Sequence, residues 1–191
     1  SELTEAGKHY RLAAELCDRI GNPIGVAVCL NGVAEIARLQ GDLETAEAGY
    51  RRALRLHTAT HAAGGEFIYL NLGLVLLAQN RRLEAQDVLE VGRAALERSG
   101  RRGLLGGLHV QLSACSTGRW QQWDEHMAHA QRLLEETGMM DPDTAWAAQI
   151  TGDLARSSGE TGRAIRAYEL ARQQWIGLNQ QAKVDEVELT L

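Results

Sequence analysis

The sequence predicts an all-α fold of stacked helix pairs, and three observations carry that prediction. Ala and Leu are abundant while Pro occurs only twice and Phe once, a mix that favours helix over sheet, since Ala, Leu, Arg, Glu and Gln head the helix propensities. A trio of residues at i, i+4 and i+7, small then large then small in all copies but one, where Trp123 takes the first place, marks one face of a helix. That trio returns in phase as Ala6-Tyr10-Ala13, Ala46-Tyr50-Ala53, Ala85-Leu89-Gly92, Trp123-Met127-Ala130 and Ala164-Tyr168-Ala171. Its first members lie 40, 39, 38 and 41 residues apart, and a period of that size is the mark of a solenoid.

Taken in order, the chain reads as helices over 2–20, 24–40, 43–60, 63–79, 83–98, 102–117, 120–137, 143–157, 161–176 and 179–190. Each trio helix follows another with its own small or apolar face: Leu30-Val33-Ala34-Ala37, Tyr69-Leu72-Gly73-Leu76 and Ala148-Thr151-Gly152-Ala155. Gly41-Asp42 and Gly159-Glu160 supply turns within pairs. Gly21, Gly100 and Gly138 fall where second helices should end, because glycine tolerates the left-handed C-cap. Helix 102–117 carries Gly103, Gly106 and Gly107, which lower its propensity; close packing against a neighbour explains them better than a joint. The repeats are 24–60, 63–99, 102–138 and 143–177, after a half repeat 1–21 and before an unpaired helix 179–190. Unpartnered helices at both ends suggest a fragment of a longer protein, since terminal repeats carry polar caps.

The bulk numbers exclude several classes. A net charge of −5 argues against direct nucleic-acid binding, which needs basic residues gathered on one face. Cys17, Cys29 and Cys115 are widely spaced and odd in number, so neither a disulfide framework nor a zinc site is suggested. His126 and His129 share a helix face, but structural zinc wants four ligands. No apolar run is long enough to span a bilayer, and no signal peptide is visible, which points to a cytoplasmic protein. No Walker-type phosphate loop or catalytic triad pattern is present. The chain is therefore not expected to be an enzyme or to need a cofactor.

These helix pairs resemble the tetratricopeptide repeat, with Tyr69-x2-Leu72-Gly73-x2-Leu76 as the best match to its first helix and the trio as its second. The usual period is 34 residues, and a Pro normally closes the second helix. Here Thr58, Glu97, Glu135 and Ile176 stand at that place, so the helix runs on for about another turn of roughly 3.6 residues. This longer form is similar to repeats of MalT-like bacterial transcription activators and their signalling ATPase relatives. The resemblance implies a right-handed superhelix of about ten helices whose first helices line a concave groove.

Three rows of equivalent positions would face that groove. They are Asn31, Leu70, Leu108 and Gln149; Glu35, Leu74, Leu112 and Asp153; and Arg38, Leu77, Cys115 and Arg156. Phe67, Asn71, Leu105, His109 and Trp146 lie on or beside the same face. The pattern predicts a groove apolar at its centre and charged at both ends, suited to an amphipathic helix or apolar peptide. A tighter superhelix would bury the same leucines instead. The function expected is a protein- or peptide-binding scaffold within a larger bacterial regulator. The alternatives are homo-oligomerisation and small-molecule sensing near Trp146, His109 and Phe67.

Overall fold

The computed structural model describes residues 2–60 and 64–191. Among them it contains α1 (Glu2–Arg19), α2 (Pro23–Leu39), α3 (Leu43–Thr60), α4 (Phe67–Ala78), α5 (Arg82–Ser99), α6 (Arg102–Cys115), α7 (Trp120–Thr137), α8 (Pro142–Ser157), α9 (Thr161–Gly177) and α10 (Gln181–Glu188). The architecture is an all-α helical repeat of antiparallel pairs. Most boundaries fall within two residues of those the sequence predicts. The half-repeat start expected at residue 1 and the helix start expected at residue 63 lie outside the described residues.

Local chemistry sets the helix ends. Pro23 and Pro142 occupy first-turn positions, where a missing N–H costs nothing. Before them, Asn22 Oδ1 accepts from Gly25 N at 2.9 Å and Asp141 Oδ2 from Thr144 N at 2.7 Å. Gly100 and Gly138 close α5 and α7 in the left-handed conformation, with φ of 68° and 63°. Helix α4 begins only at Phe67, because Gly64 takes φ 98° and the His57 ring packs onto Gly65, leaving no room for a side chain.

The trios do what their spacing requires in four of the five repeats. Ala46-Tyr50-Ala53, Ala85-Leu89-Gly92, Trp123-Met127-Ala130 and Ala164-Tyr168-Ala171 are all buried. In α1 the trio is less covered, and Tyr10 remains 42% exposed. The glycines of α6 are packing positions. A Cβ on Gly103, Gly106 or Gly107 would stand 2.6 Å from Met139 Sδ, 2.9 Å from Leu134 Cγ or 2.6 Å from Thr144 Oγ1.

The first helices of successive pairs converge. Every residue from Gly106 to Cys115 in α6 is buried, as is every residue from Ile68 to Leu77 in α4 except Asn71. Helix α8 packs against both α4 and α6, and Asn71 Nδ2 donates to Asn31 Oδ1 of α2 at 3.0 Å. A helix apolar on all sides belongs inside a core rather than along an open face. No helix among the described residues is long and apolar enough to cross a membrane.

Candidate docking surface

The convergence corrects the groove expected from the sequence. Leu70, Leu74, Leu77, Leu108, Leu112 and Cys115 are core residues, between 0% and 8% exposed. Phe67, Leu105 and Ile150 pack against that core from its edges. The space a bound peptide would take is filled by the chain's own α4, α6 and α8. Packing at near-crystalline density leaves no room for an added helix there.

The polar members of the stripe are held internally as well. Arg38 Nε donates to Glu35 Oε2 at 3.0 Å, and Arg38 Nη2 bonds to Glu35 Oε1 and, at 2.7 Å, to Asp143 Oδ1 of α8. Its guanidinium carbon lies 5.2 Å from the centre of the Trp146 ring. At the other end Arg156 Nη2 donates to Asp153 Oδ1 at 3.1 Å. Gln149 is half-buried, whereas Asp153 and Arg156 stay exposed.

A pairing within each repeat explains why those acids stand where they do. The Tyr50 hydroxyl donates to Glu35 at 2.6 Å and the Tyr168 hydroxyl to Asp153 at 2.7 Å. Burial first, then the bonded carboxylate, raises both phenols above the ordinary tyrosine value. In the middle repeats the same two positions are Leu74 with Leu89 and Leu112 with Met127, all fully buried. The charged ends of the stripe are thus acceptors for trio tyrosines, and the apolar centre is where the trio member has no hydroxyl.

His109 has a different role from the one its stripe position suggests. Its Nδ1 lies 3.0 Å from His126 Nδ1, so one imidazole donates and the other accepts. His129 stacks on the same ring with centroids 5.3 Å apart. Burial, followed by the charges of His126, His129, Arg93 and Arg132, pulls His109 down to about 3. His126 is lowered too, chiefly by burial. Among the described residues, no three His, Cys, Asp or Glu side chains are arranged to hold a metal ion. With Trp146 under Arg38 and His109 turned to α7, the residues proposed for a small-molecule pocket face different neighbours.

One open surface lies among the second helices of the pairs, and another cavity of about 440 Å³ is bordered by Asp18, Asn22, Arg52 and Arg55. Between α3 and α5 runs a trough with a cavity of about 410 Å³, floored by Tyr69 and Leu72 of α4. Arg51, Leu54, Arg55 and Thr58 form the α3 wall, and Asp87, Val88 and Val91 the α5 wall. Thr58 and Tyr69 also border a second cavity of about 510 Å³, which extends the trough past His57, Glu66 and Arg98. Ion pairs tie the two walls at the opposite end. There Arg81 meets Glu47 and Glu84, each at 2.6 Å, and Arg51 meets Glu47 at 2.9 Å. Sequence reasoning missed this surface because its apolar members, Leu54, Val88 and Val91, sit on second helices outside the trio.

Helix pairs stacked around a filled centre define the class of protein: an α-helical repeat. Among solved structures, one described as BtubC (BKLC) from P. vanneervenii superposes with a TM-score of 0.61 at 15% identity, covering 98% of this chain and 88% of that one. At that identity the likeness bears on the fold alone. No protein-family model matches the chain, and no curated protein matches it.

Proposed function

We propose that this chain is a non-catalytic, protein-binding module of the long-period tetratricopeptide type, right-handed in its superhelix. It would serve a larger cytoplasmic signalling or transcription regulator of bacteria. The observation that carries the reading is the α3–α5 trough. Its cavity is floored and walled by Leu54, Leu72, Val88 and Val91 on a scaffold whose interior is otherwise filled. An apolar floor with charged walls is the anatomy of a protein interface, and a solenoid presents such a surface on rigid elements. The test is a display library of short random peptides panned on the chain and counter-selected on Val88→Asp/Val91→Asp. Peptides that require the native trough support the reading; enrichment indifferent to those substitutions, or none at all, removes it.

Self-association is supported by a separate observation. Leu12 and Leu16 on α1 and Ile20 just after it are 52%, 49% and 75% exposed, and Ile24 and Val28 on α2 are 48% and 52% exposed. Large exposed apolar patches mark interaction sites. Light scattering tests it: a dimer that Leu16→Lys/Ile20→Lys splits would place the contact on α1.

A further inference from the structure

The α3–α5 trough is asymmetric in charge, and this shows which partner would fit. Arg55 on the α3 wall and Arg98 at the far end are both exposed, and neither has an ion-pair partner among the described residues. Of the other arginines near the trough, Arg51 and Arg81 are engaged with Glu47 and Glu84, Arg93 with Glu90 and Glu97, and Arg101 with Glu66, whereas the exposed Arg52 lines cavities on the α1 and α2 side instead. The fold therefore leaves two guanidinium groups beside an apolar floor. Arg98 and the floor residue Tyr69 line the same cavity. Asp87 is the one carboxylate of the first cavity's lining. Glu66 of the second is held 3.7 Å from Arg101.

We infer that the trough between α3 and α5 receives an acidic, apolar segment of a partner protein, with leucine-like side chains over Leu72, Val88 and Val91 and carboxylates against Arg55 and Arg98. The inference rests on the protein-binding reading above and adds the chemistry of the partner. Arginine is suited to the task because its planar fork binds carboxylates in bidentate fashion. Complementary charge then governs specificity and encounter rate more than raw affinity.

The probe is the set of peptides recovered from the random library, measured by fluorescence anisotropy on the chain, on Arg55→Glu/Arg98→Glu and on Val91→Asp. Both arginines are exposed, and circular dichroism checks that the variants keep their helices before binding is measured. The expected result is peptides rich in Asp and Glu beside Leu, Ile or Val. Their binding should weaken by about tenfold or more on charge reversal, and by less in high salt because exposed charges are screened. Peptides that need Val91 but are basic or neutral, or that bind the charge-reversed chain equally, overturn the acidic partner and leave the docking trough standing. Peptides indifferent to Val91 overturn both. A concentration-dependent mass that charge reversal abolishes overturns the external partner in favour of a second copy of this chain.

Discussion

Arg38 of α2 donates to Asp143 of α8 at 2.7 Å, a bond between residues 105 apart in the chain. It is where the first helix of one repeat meets the first helix of another three pairs on, and it closes the interior over the leucines. The two partners respond differently to that closure. Burial opposes the charge on Arg38, but its hydrogen bonds to Glu35 and the charges of Asp143 and Glu35 hold it above the ordinary arginine value. Burial pushes Asp143 up to about 6, against the pull of Arg38 and with help from the nearby charges of Glu35 and Asp141. Arg38 has two carboxylates to itself, whereas Asp143 shares one cation with Glu35.

That difference sets a pH dependence. Asp143 has a folded pKa above its unfolded value of about 3.9, so its contribution is fully present below that pH and is lost as pH rises through 6. Asp143→Asn keeps an acceptor for Arg38 and removes the ionisation. The stability of the variant relative to wild type should rise by about 1–2 kcal/mol between pH 4 and pH 8, allowing for partial exposure. Urea denaturation at both values checks this, and a difference that does not change with pH sinks it. Arg38→Ala should instead destabilise the chain, by about 2–4 kcal/mol, because two half-buried carboxylates lose their cation.

The imidazole cluster acts in the opposite direction. His109 is held near 3, well below its unfolded value, and His126 is also depressed. The unfolded chain therefore takes up protons that the folded chain refuses, so stability is intact above about pH 6.5 and falls as pH drops toward 3. By pH 5 the loss from His109 alone is about 2 kcal/mol. Partial offset from Asp143 appears in the same window, so the clean comparison is wild type against His109→Phe. The variant should lose less stability between pH 7.5 and 5; an equal loss in both would assign the acid sensitivity elsewhere.

The repeat, the ten helices and their limits were legible because the trio recurs and because glycines such as Gly100 and Gly138 mark helix ends in the left-handed conformation. The interior was misread for a physical reason. Equivalence between repeats identifies which positions share a face, but it does not say how far that face is from the next one. The signal that could have decided it lies in α4 itself: Phe67–Ala78 carries one polar residue, Asn71, in twelve, and a helix apolar on all sides is buried all round. The Glu35–Tyr50 and Asp153–Tyr168 pairs were readable too, as an acid fifteen residues before each trio tyrosine that follows a first helix. The α3–α5 trough had no such mark, because Leu54, Val88 and Val91 look like ordinary surface apolar residues until the separation of the two walls is known.

The corrected placement makes a sharp contrast between two kinds of apolar residue. Leu74 and Leu112 are fully buried, so truncating either to Ala should cost about 2–5 kcal/mol, and Asp at either site should prevent folding. Val91 is 56% exposed, and Val91→Asp should change stability by less than about 1 kcal/mol. Thermal melts of the three variants decide the matter. If Leu112→Ala melted with the wild type, the stripe would be open after all and the filled interior would be wrong.

The glycines give a final test, one in which helix propensity and packing make opposite predictions. On propensity alone, Gly→Ala inside a helix should stabilise by up to about 1 kcal/mol. At Gly162, in the first turn of α9, an added Cβ meets nothing within 4 Å, so Gly162→Ala should gain about 0.5–1 kcal/mol, partly through the unfolded chain. At Gly107 the same methyl would stand 2.6 Å from Thr144 Oγ1 of α8, which itself donates to Asp141 Oδ2 at 2.8 Å and cannot swing away without losing a cap contact. Gly107→Ala should therefore lose about 1–3 kcal/mol to overpacking, despite the better helix former. Gly107→Ala/Thr144→Ser keeps the hydroxyl in place and should recover little, whereas Gly107→Ala/Thr144→Ala removes the clashing oxygen and should recover more. Denaturation midpoints for the four variants would show it. A stabilising Gly107→Ala would mean that α6 and α8 are not in the close contact that fills the centre of the fold.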